Sequence, residues 1–289
     1  MDRWGKNCLG WKFNEDDNRN EMINEQDEEL KSQVREYWNA HPCGTQFTHL
    51  AWGSKEFFTE VERFRYETQP FMNTIIGFDR YAGKKLLEVG CGLGTDLLQF
   101  AKGGALVTGV DLTSQSIDLV RKRFELEGLT VDARVSDAEN LPFEDASFDV
   151  VYSFGVLHHT PNTQKAIDEV YRVLKPGGRI IIMLYHKNSL HVWLGIPLFT
   201  LWKSLREKNH ALSRPTLLED WVRVYDGGEN PLGKAYSKSE AEQMFSQFRN
   251  RRYTFCDSYR RRFPNFVNAA NQKLLAPWCG FWMVIKGEK

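Results

Sequence analysis

Leu87-Glu88-Val89-Gly90-Cys91-Gly92-Leu93-Gly94-Thr95-Asp96 is the stretch that decides the fold. A short apolar run, Lys85–Val89, enters a glycine turn, and a helical pattern over 96–101 leaves it. Glycines allow positive φ and let a ligand approach the backbone closely. The first turn of the helix leaves N–H groups without intrahelical partners. Dinucleotide sites use G-x-G-x-x-G, with a pyrophosphate on the helix N-terminus. Here Thr95 stands where that pattern would end, and Gly94 comes one residue early, giving G-x-G-x-G. Glu88 precedes the turn, and a carboxylate there repels a pyrophosphate but suits a ligand with an ammonium group. Asp111 closes the next strand and can accept the hydroxyls of a ribose. Asp137-Ala138 follows the third strand, where an acidic side chain can reach an adenine amino group.

Outward from the turn, strands and helices alternate. Apolar runs at 85–89, 106–110, 131–135, 148–154, 179–185, 252–256 and 281–286 read as strands, and 96–101, 114–127, 164–174 and 239–248 as helices. Thr113 or Ser114 is a plausible N-cap. This alternation predicts an α/β fold: a Rossmann-like, mostly parallel seven-stranded sheet with helices on both faces. The segment 14–30 is acidic and reads as a leader up to about Met22. Leu30, Val34, Tyr37 and Trp38 then fall at helical spacing, until His41-Pro42-Cys43-Gly44 ends the helix. A second helix is expected over 55–64. The chain therefore divides into an acidic leader with a helical N-terminal cap or lid (1–78) and a core (79–289) with an insertion at about 186–235, after the fifth strand.

The 289 residues contain 38 basic and 38 acidic side chains. A protein that grips a nucleic-acid backbone usually carries a basic excess, so no nucleic-acid partner is expected. The five cysteines are odd in number and lack a CxxC pair. That pattern fits neither a disulfide scaffold nor a zinc ribbon; no metal is expected, and the expected compartment is the cytoplasm. The most apolar stretch, 192–202, is interrupted by Gly195 and Pro197 and falls short of the roughly 20 residues needed to span a bilayer. It reads as a substrate lid, a homodimer contact or a membrane-surface helix.

Four ordered blocks, LEVGCGLGTD (87–96), VTGVDLT (107–113), SDAENLPFEDASFDVVYSFGVLHH (136–159) and EVYRVLKPGGRIIIMLY (169–185), resemble the class I S-adenosylmethionine (SAM)-dependent methyltransferases. The branch is the small-molecule one typified by ubiquinone and menaquinone methyltransferases. The resemblance implies SAM as cofactor, with Glu88, Gly90, Gly92, Gly94, Asp111, Leu112, Asp137, Ala138 and Phe154 lining its pocket and Cys91, Thr95 and Asp96 completing the turn. It implies transfer of a methyl group to an oxygen, sulfur or carbon nucleophile of a small molecule. The competing functions are a non-catalytic SAM-binding or interaction protein and an NAD-dependent dehydrogenase; the early third glycine and Glu88 argue against the latter. Amine methyltransferases of nucleic-acid bases often carry Asn/Asp-Pro-Pro-aromatic after the fourth strand, where this chain reads Ser153-Phe154-Gly155-Val156. The cysteine spacing does not match an arsenite methyltransferase.

His158 and His159 follow the fourth strand, at the edge where open α/β sheets bind ligands. Such a histidine can take a proton from an acceptor hydroxyl or thiol, or can brace the turn. The pair is common in the resembled family among members with different acceptors. Tyr185 and His186 end the fifth strand and are candidates for the same edge. Tyr37 and Trp38 read as an aromatic lid near a sulfonium or as packing residues, and Arg65 and Tyr66 carry the same two readings. Arg260-Arg261-Arg262, with Arg249, Arg251 and Arg252, form a solvated face or a site for an anionic acceptor.

Overall fold

The structure, a computed structural model, describes residues 15–190, 192–193, 230–256 and 273–289, with side chains from residue 25 onward. Its centre is a seven-stranded sheet in the order β3-β2-β1-β4-β5-β7-β6. The strands are β1 Lys85–Val89, β2 Leu106–Asp111, β3 Asp132–Val135, β4 Phe148–Phe154, β5 Leu174–Tyr185, β6 Arg249–Cys256 and β7 Trp282–Glu288. β1 to β5 pair in parallel; β7 runs antiparallel between β5 and β6. The order reverses on either side of β1, with β2 on one flank and β4 on the other, so a cleft opens beyond the carboxyl ends of these strands.

Alternation along the strands divides the core. Leu86, Val150, Tyr152, Ile181, Met183 and Val284 pack on one face. Leu87, Val151, Ile180, Ile182, Met283 and Ile285 pack on the other. The covering helices are α1 Glu15–Ala40, α2 Lys55–Thr68, α3 Met72–Ile76, α4 Thr95–Lys102, α5 Ser114–Leu126, α6 Thr163–Val173, α7 Lys238–Met244 and α8 Ala276–Cys279. Side-chain caps start several of them. Ser54 accepts from the Phe57 N–H, Thr113 from Ser116, and Ser237 forms a capping box with Glu240, each arrangement satisfying donors the helix cannot. Phe57, Phe58 and Val61 of α2 dock on Leu93 and Leu119 in a separate apolar cluster.

Several boundaries differ from expectation: α2 runs on to Thr68 and β6 starts at Arg249, three residues early. α1 begins at Glu15, so residues 15–22 are helix rather than leader; acidic residues suit the positive end of a helix dipole, and the apolar stripe that announces the helix starts only later. β5 begins at Leu174, which pairs with Phe148 before a register shift accommodates Pro176-Gly177-Gly178. α7 stops at Met244, short of the expected 248. Of the insertion, 186–190, 192–193 and 230–235 are described. Val192 is buried and Trp193 exposed; the remainder of the 192–202 stretch and Arg260 to Arg262 lie outside the described residues. Among the described residues no helix is long and apolar enough to cross a membrane.

Candidate cofactor cleft and acceptor site

The glycine turn has left-handed backbone at Gly90 (φ 76°), Gly92 (φ 50°) and Gly94 (φ 68°). A Cβ at Gly90 would meet Val156 Cγ2 at 2.2 Å, so the turn is pressed against β4's exit. At Gly92 a Cβ would meet nothing within 4 Å, so that side of the turn is open. Gly90 and Cys91 both donate to the Val110 carbonyl, at 2.7 and 3.0 Å. Asp111 completes the tie: Oδ2 accepts from the Gly92 N–H (2.9 Å), and Oδ1 from the Thr113 N–H (3.0 Å) and hydroxyl (2.8 Å). Burial raises the Asp111 carboxyl above its ordinary range, against the pull of those hydrogen bonds. Asp111 is half-buried and one Oδ2 lone-pair position is left for a ligand hydroxyl.

Glu88 is buried, and its Oε2 has no hydrogen-bond partner among the described residues. Burial first, then the fields of Asp96 and Asp111, push its carboxyl well above the usual range, with Arg65 pulling the other way. An orphaned buried carboxylate is costly; beside an open glycine turn, it is what an incoming ammonium group would satisfy.

The other side chains of the turn face the protein. The Cys91 sulfur lies against Gly109, where a Cβ would come within 3.0 Å of it. Thr95 Oγ1 accepts from Arg123 (2.9 Å), which is paired with Glu62 of α2. Asp96 accepts from Arg65 Nε (2.7 Å) and Nη2, from the Tyr66 hydroxyl (2.9 Å) and from the Tyr152 hydroxyl (2.7 Å). Cys91, Thr95 and Asp96, expected at the ligand, therefore turn their side chains to the core and α2. Arg65 and Tyr66 are their partners; the Arg65 guanidinium also lies 5.4 Å from the centre of the Phe154 ring.

At the far end of the cleft, Asp137 Oδ1 accepts from the Glu139 N–H (2.9 Å) and Oδ2 pairs with Lys31 of α1 (2.8 Å). Lys31 also pairs with Glu139 and Glu28, each at 3.0 Å, and is buried. Ala138 is buried beside Asp137, and Leu112 half-buried after Asp111. From Lys31 the helix carries Val34 into the interior, brings Trp38 edge-on to His159 (ring centres 5.7 Å) and sets Asn39 Oδ1 to accept from the Gln115 N–H (3.3 Å). α1 thus crosses the carboxyl edge from Asp137 to His159. Tyr37 packs on Trp38 and His41 instead.

His158 and His159 sit on a short turn, Leu157–His159. His158 is fully buried, 3.9 Å from Tyr185 between ring centres, with no partner for either nitrogen among the described residues. Burial and the neighbouring His159 hold its pKa well below the usual histidine range, so it is neutral. His159 Nδ1 lies 2.6 Å from the Leu232 carbonyl and 3.1 Å from the Asn230 amide nitrogen. A carbonyl only accepts, so at 2.6 Å Nδ1–H donates to Leu232, and the Asn230 amide nitrogen, itself a donor, is a neighbour of that bond. Lys234 ties the same segment to the turn, its N–H donating to the His158 carbonyl (3.1 Å). His186 does not join this group. Its Nδ1 donates to the Gly280 carbonyl (3.0 Å), its ring packs on Phe255, and alternation puts it on the face opposite Tyr185.

The structure therefore gathers Glu88, the glycine turn, Asp111, Asp137, Phe154, His158, His159 and Tyr185 at one sheet edge. Lys31, Asn230 and the Leu232 carbonyl belong with them and have no motif. A lysine placed just after the acidic run Asp27-Glu28-Glu29 was the one sequence signal available for Lys31.

Sheet order, glycine turn and acidic strand ends make a Rossmann-like α/β domain, and residues 87–182 match the family model of a methyltransferase domain. The chain is 34% identical over 144 residues to a ubiquinone biosynthesis O-methyltransferase of Coxiella burnetii, covering 48% of this chain and 62% of that protein. It is 41% identical over 140 residues to a phthiotriol/phenolphthiotriol dimycocerosates methyltransferase of Mycobacterium ulcerans, covering 46% of this chain and 50% of that one. With the sterol 4-C-methyltransferase of Caenorhabditis elegans the identity is 37% over 98 residues, 33% of this chain and 29% of the relative. The chain thus spans less than two thirds of each of these relatives. In fold it is similar to the geranyl diphosphate C-methyltransferase of Streptomyces coelicolor A3(2), with a TM-score of 0.59, 15% identity, and 90% of this chain and 97% of that chain covered.

Proposed function

We propose that the chain is an enzyme that moves the methyl group of SAM to an oxygen, sulfur or carbon nucleophile of a small molecule, with the cytoplasm as its expected compartment. The observation that carries this reading is the orphaned Glu88 carboxylate beside the open side of Gly92. These residues fit SAM: Glu88 would receive the ammonium of its methionine part, Asp111 a ribose hydroxyl and Asp137 the adenine end. Bound there, SAM supplies a methyl already activated for direct displacement. The residues of this chain then align the nucleophile and exclude water. α1, laid across the edge by Lys31 and Trp38, is the element that covers the cleft. Where the acceptor is a hydroxyl or thiol, His159 Nε2 takes its proton, with Nδ1 anchored on Leu232. Two of the relatives carry a carbon or an oxygen acceptor in their names, which supports this reading together with the absence of an Asn/Asp-Pro-Pro block here.

Equilibrium dialysis against SAM and NAD tests the cofactor: tight NAD binding without SAM binding would overturn the assignment. Turnover of methyl-labelled SAM with a panel of phenols, thiols and carbon nucleophiles tests the activity, and S-adenosylhomocysteine is the expected product. No product across the panel and a metabolite extract would favour the non-catalytic reading.

Asp111→Ala should weaken SAM binding by about 1.5–3 kcal/mol, the worth of a hydrogen bond to a charged group. Calorimetry giving the wild-type affinity would remove Asp111 from the ribose site. His159→Ala should lower turnover of a hydroxyl or thiol acceptor by roughly 10²–10⁴-fold, the usual share of a general base, while SAM binding persists. A carbon acid that reacts without losing its proton first should be spared.

A further inference from the structure

A second cleft lies at the opposite, amino-terminal edge of the sheet, remote from the cofactor residues. It encloses about 630 Å³ over β5 and β7. Arg80 comes from the turn before β1, Arg179 from β5, Arg251 and Arg252 from β6, and Lys286 from β7. Opposing these five cations is a single carboxylate, Glu288. That carboxylate is already held by Arg179 (3.3 Å) and Asn250 (2.8 Å). Arg251 donates to the backbone carbonyls of Phe245 (2.9 Å) and Glu242 (3.3 Å), which fixes its position without cancelling its charge. Lys286 is half-buried and donates to the Ile75 carbonyl, another neutral acceptor. Burial, Arg80 and Arg252 all push its ammonium below the ordinary lysine range. Arg80 and Arg252 make no ion pair among the described residues.

Acidic and basic residues balance over the whole chain at 38 each, so this concentration of one sign is local. The four arginines are exposed and Lys286 is half-buried; like charges gathered around one concave surface repel one another, and the arrangement is relieved when an anion of several charges enters. The volume is that of a small-molecule site. Arginine forks match phosphate oxygens two at a time, and a lysine adds a point charge. We propose that this cleft binds the diphosphate group of a small molecule, at a site separate from methyl transfer. Arg251 and Arg252 of β6, which the sequence offered as part of a seat for an anionic methyl acceptor, serve this distant site instead. The inference stands whether or not the cofactor assignment does.

The test is calorimetry of the full chain with inorganic pyrophosphate, at constant ionic strength, with sulfate and a short single-stranded RNA as comparison ligands. Saturable pyrophosphate binding is expected, at least tenfold tighter than sulfate. Arg80→Gln/Arg252→Gln should weaken it at least tenfold and leave SAM binding unchanged. Lys122→Gln/Arg134→Gln, which removes the same charge elsewhere on the surface, should change it less than twofold. Absence of saturable pyrophosphate binding, or an equal loss in both double variants, overturns the proposal. So does tighter binding of the RNA that depends on Arg80 and Arg252, since the site would then serve a polynucleotide.

Discussion

Asp96→Ala should lower the stability of the chain by about 3–5 kcal/mol, the range found when one partner of a buried charge pair is removed. The carboxylate gathers Arg65, Tyr66 and Tyr152 onto two oxygens. Alanine leaves a guanidinium and two phenols without the acceptor around which they are packed, and each orphaned group brings its own desolvation cost. The same bonds join α2 to α4 and β4, so the damage extends beyond the cluster. Arg65 also lies over the Phe154 ring at the cleft, so the loss of its anchor should lower SAM affinity as well. Asp96→Asn keeps the volume and part of the hydrogen bonding, and should cost less. Urea melts of the three proteins check the order. An alanine variant within about 1 kcal/mol of wild type would show that Asp96 is not the keystone of this contact.

The cluster also shows where sequence reading stops. The glycine turn was legible because its information is local: three glycines at left-handed positions, a strand before them and a helix after. The sheet was legible because apolar runs buried on both faces recur at βα spacing. Thr95 and Asp96 share the motif with the glycines, yet on a helix their side chains leave in different directions from the backbone that faces the cleft. Their partners, Arg123 and Arg65, come from elements brought close only by folding. Lys31 meets Asp137 and Glu139 for the same reason. The atom that fixes His159 is a backbone carbonyl, that of Leu232, and carries no side-chain signature at all. His186 is a different case. It follows Tyr185 directly at the end of a strand, so strict alternation already separates the two, and only one of them can face the cleft.

Glu88→Gln should have opposite effects on stability and on binding. In the cofactor-free protein the buried carboxylate is unpartnered and its pKa lies well above that of an unfolded chain. The folded state therefore holds this proton over a pH range in which the unfolded state has released it. The favourable contribution is complete below the unfolded carboxyl pKa and is lost as pH rises through the folded one. At neutral pH, glutamine should accordingly raise stability, by about 1–2 kcal/mol on the scale of other single stabilising changes. SAM reverses the balance, because an ammonium group favours the ionised carboxylate. Binding should then release a proton, and affinity should rise with pH until Glu88 is ionised in the free protein. Glutamine removes both effects and should weaken SAM binding by about 1.5–3 kcal/mol. Calorimetry in buffers of different ionisation enthalpy reads the proton release directly, and thermal melts with and without SAM read the change of sign. A glutamine variant that loses stability without the cofactor, or binds SAM with unchanged affinity and pH dependence, would mean that the Glu88 carboxylate serves the fold and not the ligand.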